Sequence, residues 1–317
     1  MGKIVKALPE EKEAVIEVIN AAFKDIRPAG FDIASLQKEA YQGKGRIPEH
    51  FLLKENGKIV GVAGNLIDEI TVGGAAYRIS RVGSVAVLPE YRGRGHMRAL
   101  MQAIEEENLA QGVVFSVLTG KRERYNRFGY EIGPYSLRFT LDPSCLWSNP
   151  SLKKRTLSRI GDAYALYHAA DPLHLRGKKH FLSRVKTDLF TPYAIEWNGG
   201  FVGYAILDKA KQEIVELRLK SSRFAEKALS LFPNCTVLVP SLEKELIDVL
   251  TPISKKIERS HRLMIKVYDQ KRFLSFLASF QDVPGIFEAD SLRFVHALFP
   301  IKGEGMMRFD LAEVDLF

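Results

Sequence analysis

The chain has 317 residues, 46% hydrophobic and 26% charged, a composition that excludes a disordered, collagen-like or low-complexity protein and leaves room for two domains of roughly 100–200 residues. Its two cysteines, Cys145 and Cys235, provide no disulfide framework, and with the seven histidines they match no metal-ligand spacing, so no metal is expected. The formal net charge of +8 suits nucleic acid, an anionic surface or a phosphate-rich small molecule without choosing among them. No apolar run approaches the roughly 20 residues of a membrane helix, and the first residues carry no signal-peptide pattern. A cytoplasmic protein without membrane attachment is expected.

In chain order, Ile4–Ala7 reads as a short strand. Pro9 then opens a helix to about Phe23, with Ala14, Val15, Val18, Ile19 and Ala22 on one face. A second helix is predicted from about Asp32 to Tyr41, followed by a hairpin around Asn56-Gly57 and a long strand, Ala76–Leu88, stopped by Pro89. A helix from His96 to about Gln111, a buried strand Val113–Leu118, a short helix Arg122–Phe128 and a strand Gly129–Leu141 complete the first half. Residues 142–154, rich in Pro, Ser and Asn, read as a linker.

The second half of the chain repeats the first. Phe51–Ala63 and Tyr193–Ala205 align Asn-Gly, Val-Gly and Ala at one offset. The same order of elements continues through Glu213–Leu219, Ser222–Leu231, Cys235–Val239, Ser241–Leu250 and Leu263–Tyr268, which points to a duplication. The remaining residues offer a helix, Arg272–Phe280, a loop at Val283–Gly285, a helix near Ser291–Leu298 and a strand-like tail, too little for a third core. The expected organisation is a mixed-sheet α/β fold in two tandem domains, 1–142 and 143–269, with a C-terminal extension, 270–317, packing on both.

The segment Val85-Ala86-Val87-Leu88-Pro89-Glu90-Tyr91-Arg92-Gly93-Arg94-Gly95-His96-Met97-Arg98 carries the strongest chemical signal. A buried strand ends at a proline, and a loop with two glycines and two arginines leads straight into a helix start that adds Arg98. Unpaired amides at such a start, together with the helix dipole, hold anions, and glycine lets a phosphate approach the backbone. The dinucleotide fingerprint fails because Arg98 stands where its third glycine belongs, and a Walker loop fails for want of Gly-Lys-Ser/Thr.

The segment does resemble the acyl-CoA pyrophosphate loop of the GNAT acetyltransferase superfamily, whose pattern Arg/Gln-x-x-Gly-x-Gly/Ala is matched at Arg92 and Gly95 and departs at Met97. About thirty residues on, Tyr125-Asn126-Arg127-Phe128-Gly129-Tyr130 matches the aromatic-x-x-x-Gly-aromatic stretch that comes after the fifth strand in that superfamily. Two such halves with a C-terminal extension resemble its Eis-like (enhanced intracellular survival) branch, although that branch carries a full third domain. The resemblance implies acetyl-CoA as co-substrate, bound along Val85, Ala86 and Val87 and by the loop Arg92–Arg98. It also implies direct attack by a primary amine of a small molecule or peptide, with Tyr125 as general acid. In that branch the terminal carboxylate serves as base, here Phe317, which could equally be a packed or frayed end. The second half has Lys220-Ser221-Ser222-Arg223-Phe224 in place of the loop and should bind no CoA.

Other readings stay open on residues alone. His96 is either a phosphate contact or a spacer, and Lys121, Arg122, Arg124 and Arg127 either receive the 3′-phosphate of CoA or form a solvated face. The competing reading is a non-catalytic acyl-CoA or nucleic-acid binding module, but nucleic acid is disfavoured because no reading helix or interleaved aromatic and basic surface is evident. Homo-oligomerisation, the acceptor and the choice of acyl group are undetermined.

Overall fold

The computed structural model describes residues 2–25, 31–41, 45–72, 74–133, 135–170, 181, 190–240, 243–260 and 263–279. These residues divide into two compact units, one of residues up to 133 together with 263–279, the other of residues 135–260.

In the first unit, β1 (Lys3–Lys6) and α1 (Lys12–Phe23) are followed by two short helices, α2 (Ile33–Leu36) and α3 (Lys38–Tyr41). The single helix expected over Asp32–Tyr41 is divided at Gln37, whose φ of −115° and ψ of 64° are not helical, while Asp32 caps α2 by accepting from the Ala34 and Ser35 amides. Then come β2 (His50–Glu55), β3 (Lys58–Val72), β4 (Ala75–Val87), α4 (His96–Ala110), β5 (Phe115–Thr119), α5 (Arg122–Tyr125) and β6 (Glu131–Ile132). Asn56 and Gly57, at φ of +48° and +80°, form the tight turn that fixes the β2–β3 register, with Glu55 opposite Lys58. α1 packs Val15, Val18 and Ile19 against Leu52, Val62 and Ala86 on one sheet face. On the other face α4 packs Leu100, Met101 and Ile104 against Leu53, Val60 and Ala63. The sheet is thus covered on both sides, as the near-continuous apolar runs of its strands require.

The second unit comprises β7 (Ser136–Leu141), β8 (Leu152–Thr156), α6 (Ile160–Ala170), β9 (Phe190–Trp197), β10 (Gly200–Asp208), β11 (Glu213–Leu219), β12 (Thr236–Pro240) and β13 (Ser254–Ser260), with short helices at Ala225–Leu229 and Lys244–Leu250. The turn Asn198-Gly199, at φ of +48° and +79°, repeats the geometry of Asn56-Gly57. Its core is built from Phe139, Ile195, Ala205, Ile214, Leu217 and Val237. The last described strand, β14 (Leu263–Val267), returns to the first unit.

Among the described residues each unit holds a seven-stranded mixed sheet, ordered β1-β2-β3-β4-β5-β14-β6 in the first and β8-β9-β10-β11-β12-β7-β13 in the second. The duplication is visible position by position, including one parallel pair in each sheet, β4 with β5 and β11 with β12. The sixth place, however, is filled in each sheet by a strand from the other half of the chain. Gly129–Leu141, expected as one strand, is therefore two. β6 pairs with β14, whereas β7 pairs with β12 and β13. Leu263–Tyr268, expected to close the second half, instead pairs with β5 of the first. The sheets consequently do not follow the expected divisions at 142 and 269, because an apolar run identifies a strand without identifying its partner. The helix Gln270–Ala278 belongs to the first unit, where Phe273 meets Phe115 at 5.0 Å and Phe276 meets Tyr77 at 5.4 Å between ring centroids. The expected loop at 283–285, the helix at 291–298, the tail and Phe317 lie outside the described residues.

Candidate active site

The parallel pairing of β4 with β5 spans only Ile79–Arg81 against Phe115–Val117. Beyond Arg81 the two strands part. β4 is also bulged against β3, since the register steps from Gly64 opposite Gly83 to Val62 opposite Ala86, and Ser84 within the bulge has φ of +51°. The end of β4 therefore offers one edge to a cleft of about 570 Å³, lined by Val85, Ala86 and Val87, by Ala22 and Phe23 at the end of α1, and by the loop after β4. The Leu88 amide donates to the Val60 carbonyl at 3.0 Å. Alternation along a strand then turns the Val87 amide to the opposite, parted edge.

The loop makes one short turn at Pro89–Tyr91 and then uses two left-handed residues, Gly93 at φ of +79° and Gly95 at +81°. Only glycine takes these angles without strain. Gly95 is the N-cap of α4 and brings no side chain to cap it, so the first-turn amides of His96, Met97 and Arg98 have no partner within the helix. They sit in the cleft wall with the positive end of a helix of 15 residues behind them. Free amides at the positive end of a helix can hold an anion.

The arginines divide by task. Arg92 donates from Nη2 to the Ala22 carbonyl at 2.8 Å and from Nε to the Val87 carbonyl at 3.3 Å, and so ties the loop to α1 and β4. Arg94 stacks over Tyr91 at 5.1 Å, donates to the Glu90 carbonyl and lies 3.8 Å from Glu55. Arg98 is exposed, lines the cleft and makes no hydrogen bond or ion pair among the described residues. His96 is buried, with Nε2 3.2 Å from Glu55 Oε1 but without hydrogen-bond alignment.

Of the second motif only Arg127, with Arg124 just before it, reaches the cleft wall, and Tyr125 is not among the lining residues. Arg127 sits over the Phe128 ring at 5.0 Å. Arg122 faces elsewhere: it grips the buried Glu131 through two bonds of 2.6 Å. The basic cluster read from sequence is thus not uniform. Tyr125 packs inward with Met101, Leu118 and Tyr130, its ring edge-on to Tyr130 at 6.4 Å. Burial raises its phenol above the ordinary tyrosine range against the opposing pull of Arg124, so it stays protonated at neutral pH. Gly120 lies under the ring, and a methyl group there would stand 2.3 Å from Tyr125 Cε2.

Sequence reasoning did not find the contributions of Ala22, Phe23, Tyr91 and Gly120. The first two mark only the end of an amphipathic helix, and nothing local ties Gly120 to Tyr125. The role expected for the Phe317 carboxylate falls outside the described residues. Among the described residues no group of three His, Cys, Asp or Glu could hold a metal, and no helix is long and apolar enough to cross a membrane.

Residues 3–133 match the family model described as an acetyltransferase (GNAT) domain. A probable N-acyltransferase from Enterococcus faecalis shares the fold with a TM-score of 0.65 at 18% identity, over 86% of this chain and 74% of that one. A GCN5-related N-acetyltransferase from Kribbella flavida gives 0.64 at 17% identity, over 90% and 75%. Eis1 from Mycobacterium abscessus gives 0.59 at 15% identity, over 90% and 78%. Among curated proteins, none matches the sequence.

Proposed function

With residues 3–133 a GNAT acetyltransferase domain and the fold of tandem GNAT-like proteins around it, we propose that the chain is an N-acetyltransferase that moves the acetyl group of acetyl-CoA to a primary amine of a small molecule or peptide. The observation that carries this reading is the continuity of the parted β4 edge with the uncapped start of α4, joined by Gly93 and Gly95. A pyrophosphate fits the amides of His96, Met97 and Arg98. An extended pantetheine arm fits the free edge of Val85–Val87 as an added strand does.

In this reading each residue has a definite task. The loop amides and Arg98 hold the pyrophosphate, while Arg92 keeps the loop in shape through the Ala22 and Val87 carbonyls. Arg124 and Arg127 supply the remaining positive charge of the cleft. The Val87 amide polarises the thioester carbonyl and stabilises the oxyanion that forms when the amine attacks. The new N–C bond replaces the C–S bond, and the buried Tyr125 hydroxyl, held protonated, gives its proton to the departing thiolate. In the second unit a three-residue turn and a helix of five residues, Ala225–Leu229, occupy the place of loop and α4, so one CoA per chain is expected.

The test combines binding with turnover. Acetyl-CoA at about 100 times its Kd should stabilise the protein by about 2.7 kcal/mol and raise its Tm. Arg98→Glu, which puts a carboxylate beside the anion site, should abolish that shift, whereas Arg223→Glu in the second unit should leave it. A panel of aminoglycosides, polyamines and peptide amines, read by thiol release, identifies the acceptor. Equal loss in both variants, or a protein that acetyl-CoA does not stabilise, refutes the reading. Nucleic-acid binding that survives physiological salt would favour a binding module instead.

A further inference from the structure

Residues 122–128 turn three faces to three different surroundings, and a buried carboxylate holds them in that orientation. Glu131 is 3% exposed and accepts from Arg122 Nε and Nη2 at 2.6 Å each, from Asn126 Nδ2 at 3.1 Å and from the Ile132 amide at 2.8 Å. Arg122 and Asn126 stand about one helical turn apart, so this clasp fixes the rotation of α5 and of the short turn Asn126–Phe128 that continues it. Tyr125 and Phe128 belong to the core that α4 covers. Arg124 and Arg127, three residues apart, take the remaining face, which is cleft wall. Arg127 also reaches toward the start of α4, since its Nη2 lies 3.9 Å from Sδ of Met97, whose amide is one of the uncapped three.

The charge of this cleft exceeds what a pyrophosphate answers. Among the described residues its lining carries four guanidinium groups, those of Arg92, Arg98, Arg124 and Arg127, and no Asp or Glu. Arg98, Arg124 and Arg127 are exposed, and none of them forms an ion pair among the described residues. The pyrophosphate bridge of an acyl-CoA carries one negative charge on each of its two phosphates. Four positive charges against two leave two unanswered. A phosphomonoester carries about −1.5 to −2 at pH 7 and presents three acceptor oxygens, so one such group closes the balance.

We infer that Arg124 and Arg127 form a subsite for the 3′-phosphate of CoA, and that the cleft thereby selects the 3′-phosphorylated carrier over 3′-dephospho-CoA. This rests on the acetyltransferase reading and deepens it. Two guanidinium forks on one face suit a phosphomonoester, which accepts several charge-assisted hydrogen bonds at once. The Arg122–Glu131 clasp presents both forks to the cleft before any ligand arrives, and Arg127 is further held over the Phe128 ring at 5.0 Å, so less freedom is lost on binding. The loop amides and Arg98 keep the pyrophosphate.

The test compares the Kd of acetyl-CoA with that of acetyl-3′-dephospho-CoA on the full chain, by calorimetry at low salt. The wild type should prefer acetyl-CoA by roughly 10- to 100-fold, the scale of one or two charge-assisted contacts, and added salt should narrow the gap because both arginines are exposed. In the double variant Arg124→Gln, Arg127→Gln the affinity for acetyl-CoA should fall by that factor, while acetyl-3′-dephospho-CoA stays within about threefold of its wild-type Kd. An unchanged Tm without ligand establishes that the variant is folded. Equal Kd values for the two ligands in the wild type, or a variant that weakens both ligands alike, overturns the subsite and leaves the acetyltransferase reading intact. A wild-type protein that binds neither ligand refutes that reading, and the subsite falls with it.

Discussion

Gly120→Ala tests the acid role proposed for Tyr125 without substituting the tyrosine itself. A Cβ at position 120 would stand 2.3 Å from Tyr125 Cε2 and 2.7 Å from Cδ2, whereas ordinary contacts lie at 3.4–4 Å, so the ring must retreat. The backbone of Gly120 is not in the left-handed region, and the ring is what requires glycine there. The retreat is on the order of 1 Å, a misplacement that can cost about 10²-fold in rate when it moves a reacting group. Overpacking of this kind costs about 1–3 kcal/mol, and at about 2–4 °C per kcal/mol for a unit of this size Tm should fall by about 2–12 °C. Steady-state turnover, read by thiol release with both substrates saturating, should therefore drop by about two orders of magnitude. The acetyl-CoA thermal shift should persist, since Gly120 is remote in sequence from the loop amides. Added to Tyr125→Phe, Gly120→Ala should produce no further loss of kcat, because the displaced ring no longer carries the proton. Wild-type kcat in a Gly120→Ala protein whose Tm has fallen would show that the ring can move without consequence, and Tyr125 would lose its place as the acid.

Two further outcomes are expected. In Gly95→Ala the new Cβ meets nothing within 4 Å, so the cost is the strain of φ at +81°, about 1–2 kcal/mol, and relaxation of that strain should turn the α4 amides and weaken acetyl-CoA at least 10-fold by calorimetry; undiminished affinity would dismiss the amides as the anion site. His50, fully buried and held down at about 4 from an ordinary 6.5, is neutral in the folded protein where the unfolded chain binds a proton, so stability is present above pH 6.5 and is lost as pH falls toward 4. The loss amounts to about 3 kcal/mol. Urea unfolding across that interval should show this slope in the wild type and a flatter one in His50→Gln; equal slopes would place the acid sensitivity elsewhere.

Features legible along the chain were local ones. Val85–Gly95 and the α4 start could be read as an anion loop because each ingredient, a strand stopped by Pro89, glycines at left-handed positions and a helix beginning at once, is set by sequence neighbours. The duplication was legible for the same reason: Asn56-Gly57 and Asn198-Gly199 each force a turn with φ positive at both residues, and the strands either side of each turn are set by it. Partnership was not legible. β6 and β7 looked like one strand, and β14 looked like the end of the second half, because hydrophobic pattern records that a strand is buried and not which edge receives it. The division of labour among the arginines was hidden for a related reason. Whether Arg92 meets the Ala22 carbonyl, Arg122 meets Glu131 or Arg98 meets solvent depends on carbonyls and carboxylates brought close by tertiary packing. The chain from His50 through Tyr41 to Ser84 is the extreme case: three ordinary residues on β2, α3 and β4, up to 43 positions apart, meet only because the sheet and its covering helices exclude water from the space between them, and a buried polar group must then find a polar partner.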